Sequence, residues 1–269
     1  MTEQQMNEKC KKGKDFFDNK QHSEAFAIFS EIAGLGHAES QFMMGICCAG
    51  GISTEKSDAK AAQWFTKAAD QGYARAQNEL GVFYQLGAGV EKDIEKAVEL
   101  YGLAAVQGNL EAINHLAFCN QHGLGTEKDL ENAAGLYRKA AEAGHPSSQY
   151  QLGLCYHKGQ GVEQDYAAAA DWYYKAAKKG DRWAQYHLGI CYYHGEGVEK
   201  DFTKAVSVLK AAASQGLDEA QYYLGVCVLN GQGTEPDLNV AVGLLQMAAD
   251  QGHAEARNVL DELKKRGIK

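Results

Sequence analysis

Proline is nearly absent, with 2 residues in a chain of 269. No apolar run approaches the roughly 18 residues that would cross a bilayer as a helix. The opening Met1-Thr2-Glu3-Gln4-Gln5 has neither the basic n-region nor the apolar h-region of a signal peptide. Positive charge is scarce: 27 Lys and Arg stand against 35 Asp and Glu, a formal net charge of -8. Nucleic-acid affinity comes mostly from neutralising phosphates, so a nucleic-acid partner is not expected, nor is an anionic membrane surface. Cys-x-x-Cys, His-x-x-x-His, Gly-x-Ser-x-Gly and Gly-x-x-x-x-Gly-Lys are all missing. Their absence removes the commonest metal, hydrolase and P-loop signatures. Hydrophobic residues at 45% and charged residues at 23% exclude a disordered or collagen-like chain.

Glycine, by contrast, is plentiful at 30 residues, and it is periodic. Gly36, Gly72, Gly108, Gly144, Gly180, Gly216 and Gly252 are each 36 residues apart. A second column runs Gly45, Gly81, Ala117, Gly153, Gly189, Gly225, and alanine pairs recur from Ala68-Ala69 to Ala248-Ala249. Six repeats therefore span 37–252 without insertion or deletion: 37–72, 73–108, 109–144, 145–180, 181–216 and 217–252.

Each repeat reads as two helices. In 145–180, Pro146 suits a first helical turn, and helix A runs to about Tyr156. Gly159-Gln160-Gly161 breaks it. Asp165 is placed to cap helix B, as are Asp93, Asp129, Asp201 and Asp237 in the same column. Ala169, Tyr173, Ala176 and Ala177 form the i, i+4, i+7, i+8 stripe of an amphipathic helix. Gly180 then ends it. Stacked helix pairs at this period make an all-α, α/α solenoid.

The pattern Gln149-Tyr150-Gln151-Leu152-Gly153-Leu154-Cys155-Tyr156-His157-Lys158-Gly159-Gln160-Gly161-Val162, followed by Ala169 and Trp172-Tyr173-Tyr174-Lys175-Ala176-Ala177, resembles the Sel-one-like repeat (SLR) family, a branch of the tetratricopeptide-like solenoids. The resemblance covers 37–252. It implies a right-handed superhelix and a scaffold role in protein–protein contacts, often in signalling or secretion. Residues 1–36 depart from it. Gly13 and Ala25 are 12 apart where Gly45 and Ala61 are 16 apart, and the Gly-x-Gly loop is missing. Gly13, Phe16, Ala25 and Phe29 fit a tetratricopeptide-like N-terminal cap. Residues 253–269 read as a C-terminal capping helix with Ala256, Val259, Leu260 and Leu263 on one face.

Cys47, Cys119, Cys155, Cys191 and Cys227 share a column with Phe83, so the column packs apolar volume. Reduced core thiols are expected, hence a reducing, cytoplasmic setting. The cysteine pairs that bridge both helices in some secreted bacterial relatives are missing here. His37, His145 and His253 follow the helix-B glycine and read as turn or N-cap residues. His115 with His122, and His187 with His194, are seven apart and too far along a helix to chelate one ion. No metal and no cofactor is expected. Gly87-Ala88-Gly89 and its counterparts lack the flanking strand of a phosphate loop and read as turns. The column Glu55, Glu91, Glu127, Glu163, Glu199 and Glu235 reads as a solvated rim.

Variation between repeats is concentrated on one face of helix A. Its central position reads Phe42, Asn78, Asn114, Tyr150, Tyr186, Tyr222, and further along come His157, Tyr193 and His194, with Trp183 at a helix start. The resemblance puts helix A on the concave side, so Asn78, Asn114, Tyr150, His157, Trp183, Tyr186, Tyr193, His194 and Tyr222 become the candidate groove for a protein or peptide partner. The competing reading is that these rings pack between adjacent repeats. The expected function is a non-enzymatic, monomeric scaffold or adaptor. The alternatives are a β-lactam-binding or β-lactam-hydrolysing enzyme, as the resemblance suggests for cysteine-rich relatives, or a secreted bacterial effector acting through protein contacts.

Overall fold

The computed structural model describes residues 1–267. Among them are fifteen α-helices and no strand. The chain divides into an N-terminal half, Met1–Leu136, and a C-terminal half from Tyr137 onward.

The N-terminal half contains α1 (Glu3–Asp18), α2 (His22–Gly34), α3 (Ala38–Gly50), α4 (Asp58–Ala69), α5 (Ala74–Leu86), α6 (Ile94–Val106) and α7 (Leu110–His122), and enters α8 (Leu130–Glu142). From α1 to α7 each helix packs on its neighbours in sequence. The C-terminal half continues with α9 (Pro146–Lys158), α10 (Tyr166–Ala177), α11 (Arg182–His194), α12 (Phe202–Ser214), α13 (Asp218–Asn230), α14 (Leu238–Asp250) and α15 (Ala254–Lys265), packed in the same serial manner. Helix A of 145–180 runs to Lys158, two residues past the sequence estimate, because Gly159 (φ 63°) ends it with its N–H on the Cys155 carbonyl.

Capping sets these boundaries. Asp93, Asp129, Asp165, Asp201 and Asp237 each accept the backbone N–H three residues on, at 2.9–3.0 Å. Ser57 does the same for α4. Helix A is capped by His37, Asn109, His145, Asp181 and His253 through side-chain acceptors. His37 is locked further: Nε2 donates to Asn7 Oδ1 at 2.8 Å, leaving Nδ1 to accept from Ser40.

Two glycine positions are dictated by close approach. A Cβ on Gly153 would lie 2.6 Å from the Tyr173 ring, and one on Gly45 2.3 Å from Phe65. Helices A and B therefore meet with a ring against bare backbone. The second loop glycine is tighter still. Gly197 sits at φ +70°, and a Cβ there would be 2.1 Å from the Tyr166 carbonyl oxygen at the start of the preceding helix B. The first loop, Gly51-Ile52-Ser53, breaks the pattern, with an exposed Ser53 at φ 54°.

The remaining core is the alanine stripe of helix B against leucines and thiols of helix A. All seven cysteines are free and buried. A glutamine column ties helix pairs together. Gln41, Gln77, Gln149, Gln185 and Gln221 each donate Nε2 to the carbonyl eight residues earlier, and Arg257 takes that role in α15. Leu263 and Ala256 of α15 are buried, with Val259 and Leu260 packed beside them.

Candidate functional site

Tyr150 rises from α9 and Tyr186 from the same place in α11, because the 36-residue period gives the central residues of helix A the same helical phase. In the C-terminal half these residues join a run of rings. Tyr150 lies 6.0 Å from Tyr173 and 5.7 Å from His187. His187 stacks on Tyr173 at 5.2 Å and meets His157 at 6.3 Å and Tyr186 at 5.0 Å. Tyr186 continues to Tyr223 at 6.1 Å, which touches Tyr193, His194 and Tyr222. Tyr222 stacks on His253 at 4.6 Å.

Six of the nine candidates, Tyr150, His157, Tyr186, Tyr193, His194 and Tyr222, are thus linked directly or through His187 and Tyr223. Tyr150, His157, Tyr186, Tyr193 and Tyr222 are half-buried, while His194 and Trp183 are exposed, Trp183 at 37%. Arg182 holds its guanidinium carbon 5.8 Å from the Trp183 ring. Asn78 stands apart. It is buried at 4%, its Nδ2 donates to Glu79 Oε1 at 3.2 Å, and its Oδ1 is 3.0 Å from His115 Nδ1. Asn114 is half-buried and belongs to the N-terminal half. The rings both pack between repeats and show an edge to solvent, so the two readings of this face are not exclusive.

Sequence reading did not include His187, Tyr223 or Tyr173 in the site. The signal available was register: three central residues touch the position 37 ahead, Asn78 meeting His115, Tyr150 meeting His187 and Tyr186 meeting Tyr223. Three buried polar atoms in the region lack a partner: Tyr173 Oη, His157 Nδ1 and Glu219 Oε2.

Burial lowers His187 to about 4, with His157 and Lys158 adding to the effect, so it is neutral at pH 7. Burial raises Tyr150 to about 12 and pushes Tyr173 and Tyr186 up as well. Burial also raises Cys155 to about 11 and Cys191 to about 12. A lowered pKa is one route to an activated thiol or phenol nucleophile. Every resolved thiol and phenol moves the other way. Ser-x-x-Lys spacing occurs at Ser53, Ser57 and Ser207. Ser57 caps α4, and the other two are exposed. Among the described residues no three His, Cys, Asp or Glu side chains converge as a metal site, and no helix is long and apolar enough to cross a membrane.

Six successive matches to the Sel1 repeat, at 38–73, 74–109, 110–145, 146–181, 184–217 and 218–253, cover most of the chain. The protein belongs to the Sel1 repeat family. That family is generally a non-enzymatic fold for protein–protein interaction. A protective antigen of uropathogenic Escherichia coli with an SLR fold is 31% identical, with TM-score 0.87 over 98% of this chain. The chain spans 57% of that antigen's length. A Sel1 repeat protein from Oxalobacter formigenes is also 31% identical, with TM-score 0.80 over 89% of this chain and 96% of the other. An immunity protein from Pseudomonas aeruginosa, 24% identical, shares the fold at TM-score 0.50 over 79% of this chain and 83% of its own. No curated protein matches the sequence.

Proposed function

We propose that this Sel1 repeat protein is a non-enzymatic scaffold that holds an extended segment of a partner protein along the helix-A face of its C-terminal half. One observation carries the reading: the continuous, half-exposed run of rings from Tyr150 through His187, Tyr186, Tyr223 and Tyr222 to His253. Packing residues in this chain stay nearly constant from repeat to repeat, whereas this face changes. Tyr, Trp and His present large rigid area with a polar tip, which is the composition of binding hot spots. Trp183 and His194 are the exposed anchors. Asn78 and Asn114 lie outside the ring run, and Asn78 is already committed to His115. Seven free, buried thiols fit a reducing compartment.

Photo-crosslinking tests this. A benzoylphenylalanine at Trp183 or His194 should capture partner protein, and one at the exposed Ser207 of helix B should not. Trp183→Ala should weaken binding of the captured partner by roughly thirtyfold, equivalent to about 2 kcal/mol, with unchanged helicity. Capture at Ser207 alone would move the site to the helix-B surface near Tyr174 and Val208.

A further inference from the structure

We infer that the segment bound on this face is basic, and that one of its Lys or Arg side chains enters beside Tyr186, Tyr223 and Glu219. The inference rests on the binding role proposed above and adds the chemistry of the partner.

The repeat contains its own template. The second residue of helix A reads Glu39, Arg75, Glu111, Ser147, Trp183, Glu219 and Glu255. In the first repeat the Glu39 carboxylate receives Lys14 Nζ at 2.7 Å, with Cys10 Sγ at 3.6 Å and the Tyr73 hydroxyl at 3.4 Å. Although burial opposes ionisation there, the Lys14 ammonium holds Glu39 below the usual carboxylate range. The neighbouring ring is served in the same way: Arg75 places its guanidinium carbon 4.7 Å from the Phe42 centroid. The N-terminal half thus meets a carboxylate and a ring on this face with cations from its own chain.

Around Glu219 and Tyr186 the C-terminal half repeats the carboxylate and the ring, but the positions equivalent to Lys14 and Arg75 carry no cation. Lys14 follows the close-contact Gly13, and the residue following the equivalent Gly189 is Ile190. Arg75 follows Phe42 by 33 positions, and the residue 33 beyond Tyr186 is Glu219 itself. Glu219 is half-buried, pairs with no lysine or arginine among the described residues, and has its Oε2 enclosed without a hydrogen-bond partner. Burial, then a side-chain hydrogen bond with Asp218, raise its pKa, offset in part by its own backbone N–H and, last, by His253. Tyr186 feels the same charge, for after burial and Tyr223 it is Glu219 that pushes it up. At the next position His253 lies 3.3 Å from Glu255 and against the Tyr222 ring. A carboxylate without a lysine or arginine partner, close enough to bias Tyr186 and hence near the Tyr186–Tyr223 ring pair, is complementary to a guanidinium or ammonium through charge-assisted hydrogen bonds and cation–π attraction. Arginine, planar and weakly hydrated, suits it best. An acidic or purely apolar segment would leave Glu219 desolvated beside no counter-charge.

The probe is a displayed library of random dodecapeptides selected on the full-length protein, with a Tyr186→Ala/Tyr222→Ala double variant for counter-selection. Peptides that depend on the tyrosines should carry a Lys or Arg at one fixed position. Replacing it by citrulline or acetyl-lysine, or making Glu219→Gln in the protein, should each weaken binding by about tenfold or more, the weight of one charge-assisted hydrogen bond. The two losses should not add when combined. Glu219→Gln keeps shape and hydrogen-bonding capacity, and its circular dichroism should match the parent. Tyrosine-dependent peptides with no fixed basic residue, or a charge swap without effect, would overturn the basic-segment inference and leave the groove reading standing. Basic peptides that bind the double variant equally well, or no enrichment at all, would overturn both.

Discussion

Tyr101 and Tyr173 occupy the same place in helices α6 and α10, two repeats apart, each with its ring against the helix-A glycine. In the N-terminal half the Tyr101 hydroxyl donates to Gln85 Oε1 at 2.6 Å. In the C-terminal half the residue in Gln85's place is His157, and both the Tyr173 hydroxyl and His157 Nδ1 are buried without a partner. The difference extends along the face. On this face the N-terminal half meets polar groups and rings internally, through Gln85, the Asn78–His115 pair, and the cations Lys14 and Arg75, although His22 Nδ1 elsewhere in that half is buried without a partner. The other substitutes rings and leaves hydrogen-bonding capacity and a carboxylate unmet. A scaffold repeated by sequence period can therefore be self-satisfied in one stretch and unsatisfied in another. The unsatisfied stretch is the one in which we propose the binding face.

The largest effect expected separates the loops. Gly197→Ala must place a Cβ against the Tyr166 carbonyl at positive φ, and should cost about 3 kcal/mol or more in urea unfolding. Ser53→Gly, at the exposed first loop, should change stability by less than about 1 kcal/mol. Equal effects would show that the loops do not differ in packing.

A middle-sized effect concerns pH. His187 titrates near 4 in the folded chain and near 6.5 when unfolded. Between those values the unfolded state holds more protons, so stability falls as pH drops. From pH 7.5 to pH 5 this one residue should account for about 2 kcal/mol of loss. His187→Gln, the residue found at Gln151 one repeat earlier, should remove that part of the slope. An unchanged slope would mean that His187 is not desolvated by the rings around it.

The smallest effect tests the tyrosine comparison itself. Tyr101→Phe strands the Gln85 carbonyl and should cost about 1–2 kcal/mol. Tyr173→Phe removes a hydroxyl that has no partner and should be neutral or slightly stabilising. Equal losses in thermal unfolding would show that Tyr173 has a partner after all, such as an ordered water.

Much of the architecture was legible because it rests on local chemistry repeated at a fixed period. The Asp column caps helix B because a carboxylate two bonds from the backbone reaches the third N–H of the next turn. His37, His145 and His253 were readable as caps from their place after a glycine. Cys47 to Cys227 were readable as core because phenylalanine shares their column. Ser53, by contrast, could not be anticipated, since its tolerance depends on what lies opposite it. Gly197 and Gly153 were visible as a pattern, but the reason for them, a carbonyl and a ring within contact of the missing Cβ, is tertiary.

The candidate face divides the same way. Sequence alone determined that helix A varies on one side and that aromatics collect in the later repeats, because helical phase converts spacing into a shared surface. It could not say that Asn78 turns inward to His115, that His187 and Tyr223 join the rings, or that Glu219 is left without a cation. Those outcomes depend on contacts between residues 30 or more positions apart, such as His157 with His187, and on which polar atoms burial cuts off from water. A 36-residue period fixes which residues are equivalent, whereas only packing decides which of the equivalents find a partner.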